Sequence, residues 1–273
     1  MVSRRAIVIT LFVSLAAACS GGSSPSTPTS PTTPTTPGID ACAAIAGTSS
    51  ISGTVSPQIV NGTACTPTSS AVVMLNLIDS TGVFAQCSGT IIGPRSILTA
   101  AHCLPANTTK VQMYAGDATN LPTTQTFAAY PGYQENTPNA LDVGVVTFGS
   151  DIGRNPIPVL LSRDARVGET AVISGWGKDQ NQVAATLRAG TAAITAVDSV
   201  LIHTQFTTNA SSVCQGDSGG PLLLQEGGAW AIAGVVSANQ TTACAFGENF
   251  FAEVRNSQIS SFIVSKAPDA ARR

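Results

Sequence analysis

The chain has 273 residues, of which only 10% are charged, and its formal net charge is −2. This length allows one large or two small domains with a sizeable core. The low charge provides no basic surface for nucleic acid. The two histidines argue against a metal site built mainly from imidazoles. Neither a phosphate-binding loop nor a metal-ligand cluster is evident, so we expect no metal and no cofactor.

The N-terminus is predicted to be an export signal, residues 1–18. Arg4 and Arg5 precede an apolar run that is too short for a comfortable membrane span. The run ends in Ala-Ala-Ala-Cys19, which resembles a bacterial lipoprotein processing site. Seven cysteines are an odd number for an exported chain, and assigning Cys19 to a lipid leaves six for disulfides. We therefore expect a lipid anchor at Cys19, with ordinary secretion as the alternative.

Residues 19–38 are predicted to be a linker. Proline recurs at every third position from 25 to 37, without apolar residues, which favours an extended polyproline II tether that cannot build a core. A lipid at Cys19 followed by this spacer would hold a domain off a membrane. The expected location is the cell envelope, as a lipoprotein, or the medium, as a secreted protein.

From about residue 59 the sequence predicts many short antiparallel strands. Short runs rich in Val, Ile, Thr and Phe are separated by Gly, Pro, Asn and Asp, which is typical of a barrel or a sandwich. The predicted strands are Ala71–Ile78, Gly89–Leu98, Val111–Tyr114, Val143–Phe148, Ala171–Ser174, Ala192–Val197, Leu201–Phe206, Trp230–Val236 and Phe250–Val254.

One helix is predicted near the C-terminus. Asn256 is a suitable N-cap, and Ile259, Phe262 and Ile263 fall on one helical face. Residues 266–273 have no such pattern and are expected to form a loose tail.

The strongest local motif is Cys214-Gln-Gly-Asp-Ser-Gly-Gly-Pro221. Its centre also matches the G-x-S-x-G elbow of α/β-hydrolases, but that fold needs its catalytic His after the Ser. The only histidines, His102 and His203, both precede Ser218. The hydrolase-elbow interpretation is therefore excluded. His203 is expected to be structural or on the surface.

A base and its orienting carboxylate precede this motif. Ile97-Leu-Thr-Ala-Ala-His102-Cys103 runs from an apolar strand into a turn of small residues, which mounts the imidazole of His102. Asp142 opens an apolar alternating run about midway between His102 and Ser218. The order His, Asp, Ser is that of a chymotrypsin-type triad.

LTAAHC followed by GDSGGP resembles the chymotrypsin/trypsin family of serine proteases. Ser174-Gly-Trp-Gly177, Gly234-Val-Val-Ser237 and Phe251-Ala-Glu-Val254 match further family segments in order. The resemblance covers residues 59–265. It implies an all-β fold of two six-stranded antiparallel β-barrels, with the active site between them and a C-terminal helix.

The resemblance also assigns roles to individual residues. The catalytic residues are His102, Asp142 and Ser218, and the N–H groups of Gly216 and Ser218 form the oxyanion hole. Ser212 stands where trypsin-like members carry Asp, so a preference for Arg or Lys is not expected, and small or medium uncharged residues are favoured. The substrate-binding positions are Ser212, Ser237, Asn239 and Asn249.

The resemblance further implies activation by cleavage. In the family, a new N-terminal Ile, here Ile59, inserts its ammonium beside the Asp that precedes the nucleophile, here Asp217, and burying this pair requires both charges. Gln58 stands where the family commonly has Arg or Lys, so a protease of another specificity is needed. Residues 39–58 would then be a pro-segment.

By resemblance, Cys87–Cys103 and Cys214–Cys244 are the disulfides of the His and Ser loops, which leaves Cys42 and Cys65 for each other. The chain is thus predicted to be a serine endopeptidase that acts on proteins or peptides. Two alternatives are a non-catalytic, surface-tethered binding protein on a protease scaffold and an esterase with the same triad.

Overall fold

The computed structural model describes residues 38–47, 58–116, 124–135, 137, 141–241 and 244–273. The predicted export signal, the lipidation site Cys19 and the linker up to residue 37 lie outside these residues. The regular secondary structure of the described part is mostly antiparallel β.

The described residues form thirteen strands, two α-helices and one 3-10 turn. The helices are α1, Ala41–Ile45, and α2, Ser257–Lys266, and the turn is Pro67–Ser69. The strands are β1 Gln58–Ala64, β2 Val72–Asp79, β3 Gly82–Ile91, β4 Ser96–Thr99, β5 Lys110–Tyr114, β6 Thr124–Ala129, β7 Gly144–Phe148, β8 Thr170–Gly175, β9 Arg188–Val197, β10 Leu201–Gln205, β11 Pro221–Glu226, β12 Ala229–Asn239 and β13 Glu248–Glu253.

The first barrel is a six-stranded sheet in the order β5-β2-β3-β4-β7-β6. Its two end strands meet where the Thr124 hydroxyl donates a hydrogen bond to the carbonyl of Val111. Its interior belongs to an apolar cluster that continues into the second barrel through Trp176 and Val235. The two barrels therefore share part of one core.

The second barrel has the order β9-β10-β13-β12-β11-β8, and β8 pairs again with β9 to close the ring. Strand β1 adds a seventh member by pairing with the start of β9. A second apolar cluster, which includes Ile173, Leu222 and Phe251, fills this barrel. The predicted architecture of two six-stranded antiparallel barrels is confirmed.

The strand predicted over Gly89–Leu98 is interrupted. The residues between Ile91 and Ser96 turn instead, so that β3 and β4 form an antiparallel pair. Pro94 lies in this turn, and a proline has no N–H for a sheet ladder. Strands β1, β6 and β11 were not among the predicted strands.

The two helices pack against the barrels. In α1, Ala41, Ala44 and Ile45 are buried, and the side chain of Asp40 accepts a hydrogen bond from the Ala43 N–H at the N-terminus. In α2, Asn256 caps the helix and Ile259, Phe262 and Ile263 are buried, the face that the sequence predicted. Neither helix is long and apolar enough to cross a membrane.

The expectation of a loose C-terminal tail is wrong. Ala267 and Ala270 are buried, and the Ala271 N–H donates to the carbonyl of Ile92 at 2.7 Å. The carboxylate of Asp269 accepts hydrogen bonds from the N–H of Arg95 and the hydroxyl of Ser96. Sequence periodicity gave no sign of this segment because its contacts are mostly backbone hydrogen bonds and small side chains.

Candidate active site

His102 is held at the end of β4 by a short, tightly packed segment. Strand β4 is fully buried, and Cys103, next to the histidine, forms a disulfide with Cys87 on β3. The backbone N–H of His102 donates to Oδ1 of Asp142 at 3.0 Å. This contact fixes the backbone that carries the imidazole.

The carboxylate of Asp142 orients the imidazole. Its side chain is 1% exposed, and Nδ1 of His102 lies 2.7 Å from Oδ2. Because a carboxylate only accepts hydrogen bonds, Nδ1 carries the proton and Nε2 is left as the acceptor. The hydroxyl of Ser237 also donates to Oδ2, at 2.7 Å. Three donors from two residues, His102 and Ser237, thus hold this carboxylate in place.

Ser218 lies in a glycine-rich turn of the second barrel. Gly216 and Gly219 have φ of 95° and 81°, the left-handed region that glycine adopts without a steric penalty. A Cβ at Gly216 would lie 2.9 Å from the Cα of Gly177, and one at Gly219 would meet the carbonyl oxygen of Ser88. Larger residues are therefore excluded at both positions by conformation and by space.

Some backbone N–H groups of this turn have a hydrogen-bond acceptor and others do not. The N–H groups of Asp217, Gly219 and Gly220 donate to backbone carbonyls at 2.8–3.0 Å. Within the part of the chain that the structure describes, the N–H groups of Gly216 and Ser218 have no hydrogen-bond acceptor. Two amide donors in one turn are thus available to an external oxygen.

The two barrels meet at this turn. His102 and Asp142 belong to the first barrel and Ser218 to the second, and the Ser88 N–H on β3 donates to the Ser218 carbonyl at 2.8 Å. No hydrogen bond joins the Ser218 hydroxyl to His102 among the described residues. Catalytic hydrogen bonds are often long or poorly aligned without substrate and tighten in the complex.

A cavity of about 170 Å³ opens beside Ser218. Asn239 lines it, whereas Ser212 and Asn249 are both 0% exposed and lie outside the lining. Of the predicted substrate-binding positions, the structure therefore brings Asn239 to the cavity. Ser237 contacts Asp142. The cavity is also lined by Val213, Gln215, Val236, Ala238 and Thr241.

Ser212 and Asn249 affect the cavity indirectly, because hydrogen bonds link them to the side chain of Asn239. Oδ1 of Asn249 accepts hydrogen bonds from Nδ2 of Asn239 at 2.7 Å and from the hydroxyl of Ser212 at 2.8 Å. Nδ2 of Asn249 donates to Thr204 at 3.0 Å. Asn249 and Ser212 thus have hydrogen-bond partners within the protein. Because Asn249 is held in this way, its bond to Asn239 fixes the Asn239 amide across the base of the cavity.

Asp217 is a buried carboxylate behind the same turn. It is 1% exposed, and its two oxygens accept hydrogen bonds from the N–H groups of Gly177 and Cys214, both at 2.8 Å. Burial raises the pKa of Asp217 to about 7, although the two N–H groups and the charge of Arg188 act in the opposite direction. The hydrogen bonds and the charge of Arg188 therefore do not fully offset the effect of burial on the negative charge of Asp217.

The segment after Gln58 is already seated in the domain. Ile59 is 1% exposed, and Val60 exchanges two backbone hydrogen bonds with Ser212, at 3.1 and 3.2 Å. Among the described residues, no hydrogen bond links Ile59 to Asp217.

A second cavity, of about 280 Å³, borders His102. Tyr130, Tyr133 and Glu135 line it, and sequence reasoning missed them. Burial, followed by the charges of Asp142 and Glu135, raises the pKa of Tyr133 to about 12. The aromatic pair in Tyr130-Pro-Gly-Tyr133, shortly before Asp142, was the available signal.

The three disulfides join Cys42 to Cys65, Cys87 to Cys103 and Cys214 to Cys244. Of the described residues, His102 with Cys87 and Cys103 comes closest to metal-ligand spacing. Both of these cysteines are in one disulfide, so neither offers a thiolate.

Residues 59–263 match the family model described as Trypsin. A trypsin from Simulium vittatum is 28% identical over 176 residues, which cover 54% of this chain and 69% of that protein. A trypsin from Saccharopolyspora erythraea is 29% identical over 160 residues, with coverages of 50% and 70%. A solved structure of HL collagenase superposes with a TM-score of 0.64 at 22% identity, over 77% of this chain and 99% of that one, and so shares the fold.

Proposed function

Because this chain belongs to the trypsin family of serine proteases, we propose that it is an endopeptidase that cleaves peptide bonds through an acyl-enzyme. Ser218 is the nucleophile, His102 the general base and Asp142 the residue that orients His102. The observation that carries this proposal is the fixed Asp142–His102 pair together with the two acceptor-free N–H groups beside Ser218.

The reaction follows from these atoms. Nε2 of His102 takes the hydroxyl proton as Oγ of Ser218 attacks the substrate carbonyl, and the same nitrogen then gives this proton to the leaving amine. The negative charge that develops on the carbonyl oxygen is stabilised by the N–H groups of Gly216 and Ser218. Water, deprotonated by His102, then hydrolyses the acyl-enzyme and restores the Ser218 hydroxyl.

Peptide hydrolysis by the purified chain, after cleavage of its Gln58–Ile59 bond, tests this assignment. Wild type is expected to cleave internal bonds of an unstructured protein, and Ser218→Ala is expected to be inactive while it keeps the same melting temperature. A matched control is Ser260→Ala, which changes an exposed hydroxyl on α2 that bonds only within its helix. Full activity of Ser218→Ala would refute the mechanism.

The alternatives give different results in the same assay. A folded wild type that binds a peptide without cleaving it would support the binding protein. Hydrolysis of an ester but not of the matched amide would support an esterase.

We propose that the residue before the scissile bond is small or medium in size and uncharged. The cavity beside Ser218 is about 170 Å³, and the Asn239 amide crosses its base. Ser212 supplies no carboxylate to attract Arg or Lys. Profiling on a peptide library should show Ala, Val, Ser or Thr at this position, and a dominant preference for Arg or Lys would contradict the proposal.

We also propose activation by cleavage between Gln58 and Ile59. The freed ammonium of Ile59 would supply the positive charge that Asp217 lacks, and this pair would hold the turn that carries Ser218. In the variant Gln58→Arg, trypsin treatment should release Ile59 as a new N-terminus and raise activity. Cys42–Cys65 would keep the pro-segment attached. Full activity with an intact Gln58–Ile59 bond would contradict this step.

Disulfide-bonded proteins are typical of oxidising, extracytoplasmic compartments, which supports export. A lipid at Cys19 would additionally tether the domain to a membrane. In a bacterial host, labelled fatty acid should enter wild type and not Cys19→Ser. Unlabelled wild type in the medium would favour free secretion.

A further inference from the structure

Ser88, on β3 directly after Cys87, connects the first barrel to the turn that carries Ser218. It is 0% exposed. Its hydroxyl donates to the carbonyl of Gly216 at 2.8 Å and accepts the N–H of Trp176 at 2.9 Å. Its own N–H donates to the carbonyl of Ser218 at 2.8 Å. One residue thus holds both ends of the segment from Gly216 to Ser218.

The position of Ser88 is itself fixed. Its carbonyl accepts the hydroxyl of Thr99 at 2.8 Å, and its neighbour Cys87 is in the disulfide with Cys103. Strand β3 is paired with β2 on one side and β4 on the other. The hydroxyl therefore belongs to a rigid element, which is what precise positioning of a site requires.

The contact to Gly216 matters because a glycine backbone is not restrained by a side chain. Gly216 has φ of 95°, and a glycine passes between backbone conformations with little steric restraint. The backbone at Gly216 therefore needs an external contact to keep one conformation. The hydroxyl of Ser88 provides that contact at the carbonyl of Gly216, in the peptide group between Gly216 and Asp217. The N–H of Gly216 belongs to the preceding peptide group and stays free for an oxyanion.

We propose that Ser88 is a positioning residue for the oxyanion hole, and this inference rests on the function proposed above. The main chain of Ser88 locates the carbonyl of Ser218. Its side chain fixes the carbonyl of Gly216, and with it the backbone between the two free N–H groups, so that both point at the same place before substrate arrives. Preorganised donors of this kind stabilise the transition state more than the bound substrate.

Steady-state kinetics separate this role from a merely structural one. Loss of a buried hydroxyl lowers stability in either case, so stability alone decides nothing. A positioning role predicts that Ser88→Ala lowers kcat about 10- to 100-fold, below the effect of deleting an oxyanion donor outright, while KM changes less than about twofold. The Ki of a peptidyl trifluoromethyl ketone, which forms an oxyanion with Ser218, should weaken by the same factor as kcat/KM.

Ser96→Ala is the matched control. Ser96 is also a buried serine of the first barrel, but its hydroxyl donates to Asp269 in the C-terminal segment. It should lower the melting temperature and leave kcat and the ketone Ki unchanged. The concentration of active enzyme is titrated to completion with a fluorophosphonate, so that misfolded material does not enter kcat.

The conservative variant Ser88→Thr keeps the hydroxyl and should retain kcat within about threefold. A folded Ser88→Ala with wild-type kcat and ketone Ki would overturn the role of Ser88 alone, as would a folded Ser88→Thr that loses kcat and ketone affinity. A wild type cleaved between Gln58 and Ile59 that neither hydrolyses peptides nor reacts with the fluorophosphonate would refute the proposed function, and the role of Ser88 with it.

Discussion

Replacing Asn239 by alanine should widen the preference for the residue before the scissile bond. Asn239 is the one member of its amide network that lines the cavity beside Ser218. In Asn239→Ala, Oδ1 of Asn249 keeps the hydrogen bond from the Ser212 hydroxyl at 2.8 Å, so this buried acceptor is not left without a donor. The base of the cavity opens, and the carbonyl of Val213, which lines the cavity, loses the hydrogen bond that Nδ2 of Asn239 donates to it at 3.3 Å.

The size of the effect follows from the apolar surface that a larger substrate side chain can then bury. Leucine exceeds alanine by three carbons, and each buried methylene contributes about 0.8 kcal/mol. Complete burial would give about 2.4 kcal/mol, which corresponds to a factor of about 60 in kcat/KM. The Thr241 N–H loses its bond to Oδ1 of Asn239, which should lower stability by about 1 kcal/mol.

The assay compares two peptide anilides that differ only in Ala or Leu before the scissile bond. The ratio of kcat/KM for Leu over Ala should rise by about one to two orders of magnitude in Asn239→Ala. Gln240→Ala is the control, since it removes a neighbouring but exposed amide outside the cavity. An unchanged ratio in a folded Asn239→Ala would refute the idea that this amide closes the pocket.

Three further predictions concern other parts of the molecule. Asp142→Asn should lower kcat about 10⁴-fold in peptide hydrolysis, because an amide stabilises the wrong imidazole tautomer; a loss below tenfold would contradict its role. Burial, then the carboxylate of Asp164, raises the pKa of Glu253 from 4.5 to about 7. The folded state therefore loses stability as the pH rises from about 4.5 to about 7. Glu253→Gln should raise the melting temperature at pH 8 and have little effect on it at pH 4. An equal effect at both pH values would argue against the raised pKa of Glu253. Deletion of residues 267–273 should lower the melting temperature, and an unchanged value would contradict their packing.

The sequence was most informative where chemistry restricts the residue type. GDSGGP and LTAAHC identified Ser218 and His102, because an oxyanion turn needs glycine and a general base needs an imidazole. Asp142 followed from the family resemblance, which requires an Asp between these two residues, and from its place at the start of an apolar run. Alternating apolar runs predicted antiparallel strands in a barrel or a sandwich, and the family resemblance selected the two barrels.

Other features depend on contacts between distant segments. Ser88 is one serine among many in the sequence, and its importance comes from the carbonyl of Gly216, 128 positions away. Ser212 and Asn249 were assigned to the pocket, but the structure places them behind Asn239. The C-terminal segment is held by backbone hydrogen bonds and by Asp269, neither of which leaves a periodic pattern.

The central claim is that Ser218 is a nucleophile activated by His102. The most direct measurement is mass mapping of the adduct formed by a fluorophosphonate on the purified, folded protein, since a serine hydroxyl reacts readily only when a base activates it. In wild-type protein cleaved between Gln58 and Ile59, one equivalent of label is expected on the peptide that contains Ser218, with little label in His102→Ala. Folded, cleaved wild-type protein whose Ser218 peptide remains unlabelled would contradict this role of Ser218.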